Sequence, residues 1–224
     1  VKIDADEGDG FFQHFFASIA DGNGSEEGSF PSKIGDFIPT GVLDAGGFGT
    51  ILTLDDPNLV LKIATQSRGK ANAQLVDEAA NLKLLAERGL PTPFVRFVEA
   101  VDSNGDVLQA ILLKRVDGVL SKKILQTGKF QNITPSAADL SLVNQKTIQE
   151  LEQVKNIAAE SGLVIDDLQF IVDKSGSISL IDPARITDIS KSRGKKAKTL
   201  KKNFLSRIDK IIHELKEIAR ENAN

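Results

Sequence analysis

The sequence predicts an α+β chain of two lobes: a small antiparallel sheet with one helix, then a reduced, mostly helical half. Three observations lead there. Between Gly41 and Lys114, apolar β-branched runs alternate with Gly- and Asp-rich turns, interrupted by one stretch of helical periodicity. Beyond Val116 the long apolar repeats fall at three- and four-residue spacing instead. Inside that second half, Leu163–Ile186 carries a hairpin signal: Phe170–Val172 and Ile178–Ile181 flank the turn Asp173-Lys174-Ser175-Gly176. Asp167 stands just before the first of these strands and Asp182 just after the second. Antiparallel strands bring their outer ends side by side, so the two carboxylates are expected to face one cleft. Such a pair suits one as base and the other as metal ligand. The alternative is that Asp167 caps a turn and Asp182 is an ordinary turn residue before Pro183.

Composition narrows the classes. The chain has 224 residues, 41% hydrophobic and 26% charged, with net charge −3, which is globular and argues against a nucleic-acid binder. Its apolar runs are far too short to span a bilayer, and no signal peptide or lipidation motif is visible. Without Cys there is no disulfide or thiolate chemistry, and with only His14 and His213 a histidine-rich zinc site is excluded. A start at Val1 is expected of a fragment or a trimmed chain.

Residues 1–30 read as an acidic, flexible, Gly-rich arm, with Phe11, Phe12, Phe15 and Phe16 able to form one amphipathic helical turn. The spacing of Asp4, Asp6 and Asp9 hints at calcium, but no Glu closes a twelve-residue loop, so it is no EF-hand. The first lobe is expected over 31–115. It opens with a strand, the turn Gly46-Gly47-Phe48-Gly49, a strand, the turn Asp55-Asp56-Pro57-Asn58, and the strand Leu59–Ala64. Glycines let backbone N–H groups approach phosphate oxygens. No Gly-Lys-Ser/Thr follows, so this is not a Walker A loop. Lys62, alone in an apolar strand, must snorkel to water or meet an anion.

Ser67–Gly89 reads as a helix, with Leu75, Ala79, Leu82 and Leu85 on one face and Gly89 and Pro91 as its stop. Glu78 neighbours that stripe; it is either a surface i,i+4 partner or the partner of Lys62. Strands Phe94–Val101 and Val107–Lys114 surround the turn Asp102–Gly105, and Val116-Asp117-Gly118 serves as a connector. The second lobe, 116–224, holds the helices Thr147–Ser161, ended by Gly162, and Asn203–Asn224. Between them, Lys191, Arg193, Lys195, Lys196, Lys198, Lys201 and Lys202 form a basic run, either a solvated face or a flexible segment, or a contact for an acidic partner.

The order of these features — Gly-rich loop, strand lysine, helix glutamate, connector, helix, Asp…Asp hairpin — resembles the protein-kinase-like fold from Gly41 to Ile186. The resemblance implies a bilobal minimal kinase using ATP and Mg2+. Gly46, Gly47 and Gly49 would cover the phosphates with Phe48 at the loop tip. Lys62 would bind phosphate oxygens and be held by Glu78, and Leu113, Lys114 and Val116 would receive the adenine edge. Asp167 would accept the proton of the incoming hydroxyl, and Asp182 would bind metal, with Pro183 where protein kinases place Phe.

Departures from the pattern are specific. Val164-Ile-Asp-Asp167 replaces His-Arg-Asp, and Val172 stands where a metal-binding Asn is expected. Gln169 is the candidate replacement as second metal ligand. Asp166 competes with Asp167 for the base role; the run Asp-Leu-Gln favours Asp167. No Ala-Pro-Glu follows Asp182, so an activation segment is absent. This compactness is similar to the minimal kinases that bacteria secrete into host cells as effectors or toxins. One such family phosphorylates a serine in the ninety-kilodalton heat-shock chaperone of the host. The resemblance therefore implies a soluble, secreted, monomeric protein serine/threonine kinase with a host protein substrate, and no nucleic-acid or membrane partner. Two other readings stand beside it: a small-molecule phosphotransferase of the aminoglycoside-kinase type, and a pseudokinase acting as a binding module.

Overall fold

The structure, a computed structural model, describes residues 38–45, 49–64, 70–101, 107–125, 134–192 and 194–222. The acidic arm, Gly46, Gly47, Phe48, the turn at 102–105 and Arg193 lie outside the described residues. Two compact units form: one takes the chain up to Val76 together with Val95–Arg115, the other Asp77–Phe94 together with the chain from Val116.

The first unit is built on one sheet. Its strands are β1 (Pro39–Ala45), β2 (Thr50–Leu54), β3 (Leu59–Ile63), β4 (Phe94–Val101) and β5 (Val107–Lys114), in the spatial order β1-β2-β3-β5-β4. Strand periodicity sorts the side chains onto two faces. Leu52, Leu54, Leu61, Ile63, Ala110 and Leu112 share a buried apolar cluster. Ile51, Lys62 and Ile111 are cross-strand neighbours on the opposite face, as the register Ile51↔Lys62↔Ile111 requires. The β2–β3 turn is closed by Asp56, whose carboxylate accepts from the Asn58 N–H at 2.8 Å.

Helix α1 (Lys70–Glu87) begins in the first unit and ends in the second, where Gly89, at φ +74°, turns the chain out of the helix. The second unit continues with β6 (Gly118–Leu120), α2 (Ser121–Ile124), α3 (Ala137–Leu140) and α4 (Gln145–Ser161). After these come β7 (Leu163–Ile165), β8 (Gln169–Asp173), β9 (Ile178–Ile181), β10 (Ile186–Asp188) and α5 (Lys195–Asn222). The core joins Leu151, Val154 and Ala158 of α4 to Ile208 and Leu215 of α5 and to Phe170 and Val172 of β8. β6, β8 and β9 form one sheet, β7 and β10 a second.

The expected hairpin is β8–β9, with Gly176 at φ +82° in its turn. Its tip is bonded to the start of α4. Asn144 caps that helix, accepting from the Lys146 N–H at 2.9 Å, and its amide donates to the Ser175 carbonyl at 3.3 Å. The buried Thr147 hydroxyl donates to the Gly176 carbonyl at 2.8 Å, and the Ile178 N–H donates to Glu150 Oε2 at 2.8 Å. A Cβ at Gly176 would fall 2.3 Å from the Asn144 amide, so a side chain is excluded by space as well as by φ.

Two expectations change, and five short elements are new. Gly118, read as connector, is the first residue of β6, and a Cβ there would sit 2.2 Å from the Val172 carbonyl oxygen; the glycine permits close strand approach. The last helix starts at Lys195 rather than Asn203, so Lys195, Lys196, Lys198, Lys201 and Lys202 lie on its first two turns. Ala197 and Phe204 carry its buried stripe back into the basic run, while Lys195, Lys196, Lys198 and Lys202 face solvent. The basic run reads as a solvated face or flexible segment, and its exposed lysines do form a solvated helix face. Finally, β6, β7, β10, α2 and α3 have only three or four residues each, too few to show periodicity.

Asp173 governs the hairpin turn. Burial alone would push its carboxyl up. Hydrogen bonds from the Ser175 hydroxyl and N–H and the Ser177 N–H, with the charge of Lys146, outweigh burial and hold it below the ordinary value of 3.8. A carboxylate depressed on folding contributes stability above its unfolded pKa and loses it as pH falls through the folded one. Urea unfolding should therefore show Asp173→Asn less stable than wild type at pH 7, with the gap closing only below about pH 4. A gap independent of pH between 3 and 7 would mean that the charge of Asp173 contributes nothing.

Candidate active site

In the first unit, β2 and β3 bring Gly49 over Lys62. A Cβ at Gly49 would lie 3.0 Å from Lys62 Cε and 3.0 Å from the Ile63 carbonyl oxygen, so a side chain there would crowd the lysine. Lys62 is 8% exposed, between Ile51 and Ile111 on its sheet face. Its stem is buried in the sheet, and its ammonium either reaches water at the sheet edge or meets an anion. Leu113 is buried and pairs with Val60, whereas Lys114 is exposed. The pairing extends one residue past β5, where the Arg115 N–H donates to the Asn58 carbonyl at 2.7 Å. Val116 follows as the first residue of the second unit's later segment.

The second unit holds Glu78 on α1, half-buried, and the open end of the β8–β9 hairpin. There Gln169 pairs with Ile181, which sets Asp167 and Leu168 on one side of the hairpin mouth and Asp182 on the other. Gln169 Nε2 donates to Asp167 Oδ2 at 2.8 Å, leaving the amide oxygen of Gln169 for another partner. The Asp167 side is exposed and Asp182 half-buried. Asp182, at φ +46°, is the one non-glycine residue with positive φ among the described residues. It also precedes a proline, which disfavours helical backbone at that position. Such strain costs on the order of 1–3 kcal/mol and persists only where the surroundings fix it.

Asp166 is placed differently from Asp167. Its N–H donates to the Arg185 carbonyl at 3.0 Å, continuing the β7–β10 pairing, and its carboxylate lies 3.9 Å from Arg185 Nε. It therefore belongs to the neck of the loop. Two further residues hold this loop, and both escaped the sequence reading. Arg207, on α5, donates from its two terminal nitrogens to the carbonyls of Ile165 and Asp166, with its guanidinium over the Phe204 ring at 5.8 Å. Ser121 accepts the Phe170 N–H at 3.1 Å in a buried position. A planar fork suits two successive carbonyls, but its distance in sequence gave no local signal.

The donor set at the hairpin mouth fits a hard cation. Among the described residues no group of three or more His, Asp or Glu side chains gathers as an all-protein metal cage. Mg2+ in phosphoryl-transfer sites is bound through one or two carboxylates plus phosphate oxygens, and an Asp with a neighbouring amide oxygen is a donor set of that kind.

Arg207→Ala should lower the unfolding free energy by roughly 1–2 kcal/mol, since two carbonyls lose a charged donor. Arg207→Lys should recover less than half of that, because an ammonium cannot reproduce the fork. Full recovery by lysine in urea titrations would mean that charge alone, and not the paired geometry, is what the loop requires.

Comparison with curated proteins gives no match. Comparison with family models gives one: the type III secretion system effector HopBF1 kinase domain, over residues 41–223. That span begins in β1, ahead of the Gly-rich turn, and ends with α5, taking in both units. The chain belongs to the HopBF1 kinase family, the kinase domains of type III secretion system effectors.

Proposed function

We propose that this effector kinase transfers the γ-phosphoryl group of ATP, with Mg2+, to a serine or threonine hydroxyl of a host protein. The observation that carries the reading is the hairpin register, which puts Asp167 and Gln169 across from Asp182 at one mouth. Asp167, exposed and oriented by the Gln169 amide, takes the proton of the attacking hydroxyl as its oxygen bonds to phosphorus and ADP leaves. Gln169 holds Asp167 through its nitrogen and offers its oxygen, with the Asp182 carboxylate, to the metal. When bound, Mg2+ neutralises charge on the phosphate oxygens.

The nucleotide's binding groups follow the family resemblance. Gly46, Gly47 and Gly49, with Phe48 at the tip, cover the phosphates. Lys62 is the cation for the phosphate oxygens, and Glu78 the carboxylate that the family resemblance assigns beside it. Leu113, Lys114 and Val116 meet the adenine edge. Because phosphoryl transfer needs positioning and charge neutralisation more than covalent help, this short list of groups suffices. The first acceptor to test is the ninety-kilodalton heat-shock chaperone, by the same resemblance.

Incubation of the protein with a eukaryotic lysate or that chaperone and γ-labelled ATP should label protein serine or threonine, while α-labelled ATP should not. Asp167→Ala should reduce labelling by roughly 100- to 10,000-fold, the range of a lost general base, with nucleotide affinity nearly unchanged. Asp166→Ala should retain most activity. Label from the α position would make AMP the transferred group. No label from either, with nucleotide still bound, would make the protein a binding module.

A further inference from the structure

Two backbone groups on either side of Asp182 are gripped by the same segment of chain. Ahead of it, the Leu180 N–H donates to the Pro91 carbonyl at 2.8 Å. Behind it, Asn81 Nδ2 donates to the Pro183 carbonyl at 2.9 Å, a half-buried bond between residues 102 apart in sequence. Asn81 lies one helical turn beyond Glu78 on α1, and Pro91 follows directly on that helix's exit. All of these residues belong to the second unit, and Leu85 and Leu90, between the two grips, are buried in the same apolar cluster as Leu180. Asp182, the strained residue at φ +46°, is thus bracketed by Asn81–Pro91.

We infer that Asn81 is a positioning residue for the metal-binding carboxylate: its amide fixes the Pro183 carbonyl and so keeps Asp182 in its left-handed conformation. The inference rests on the proposed role of Asp182 and adds to it the group that sets its geometry. A residue in left-handed backbone before a proline relaxes toward extended conformations unless something outside the loop prevents it. Among the described residues between Asp182 and α5, β10 (Ile186–Asp188) is the one regular element. A helix side chain takes that part, and the end of α1 and the metal loop become one preassembled element.

The test uses the whole chain and two readouts: the Mg2+ concentration giving half-maximal phosphate transfer at saturating ATP, and the Mg2+-dependent part of the thermal shift with a non-hydrolysable ATP analogue. Groups that orient a metal ligand typically change metal affinity by roughly 10- to 100-fold when lost. Asn81→Leu, a good helix former without the donor, should raise the Mg2+ requirement within that range and shrink the Mg2+-dependent shift. Its shift with nucleotide alone should be unchanged. Asn81→Gln, which keeps the donor, should recover most of both. If Asn81→Leu does not fold, Asn81→Asp, of the same shape but without the donor, gives the same two readouts. A uniform fall in melting temperature with an unchanged Mg2+ requirement would overturn the inference and leave Asn81 a stabilising bond only. If Asp182→Asn keeps the full Mg2+-dependent shift, the metal assignment itself fails. If Asp182→Asn abolishes the shift while Asn81→Leu keeps it, only the role of Asn81 fails.

Discussion

The Thr147 hydroxyl is buried and donates to the Gly176 carbonyl at 2.8 Å, and the Asn144 amide and Glu150 carboxylate bond the same hairpin on either side of it. These contacts attach the β8–β9 tip to the first two turns of α4. A hairpin of five and four residues is marginal in isolation, so its register at the open end depends on a fixed tip and on the burial of Phe170, Val172, Ile178 and Leu180. A slip of one residue would turn those four side chains outward and carry Asp182 away from Asp167. The register that sets Asp167 opposite Asp182 is therefore held by polar contacts at the far end of the same strands.

Much of this was legible beforehand because it is local. The alternation in β8 and β9, Gly176 in their turn, the strand character around Lys62 and the apolar stripe of α4 all follow from spacing alone. What was not legible depends on partners distant in sequence. The glycine at position 118 is explained only by the Val172 carbonyl it approaches. Arg207 acts 41 residues from Asp166, and Asn81 acts 102 residues from Pro183. The start of α5 was hidden in a basic run that reads as a solvated face or flexible segment, and the burial of Ala197 and Phe204 fixes it.

The family match over residues 41–223 sets these details in an effector kinase of reduced size. In it, support for the loops comes from helices. Arg207 of α5 holds the carbonyls before Asp167, and Asn81 of α1 holds the carbonyl after Asp182. Both are side chains donating to main-chain oxygens. The described residues contain no helix long and apolar enough to cross a membrane.

The central claim is that Asp182 and Gln169 bind the metal while Asp167, on the same hairpin mouth, stays free for the acceptor hydroxyl. A crystal structure of the chain with Mg2+ and a non-hydrolysable ATP analogue tests this directly. The account predicts a metal ligated by the Asp182 carboxylate and the Gln169 amide oxygen at ~2.1 Å, with Asp167 outside the coordination sphere. A metal held by Asp167 or Asp166, with Asp182 turned away from it, would contradict the account.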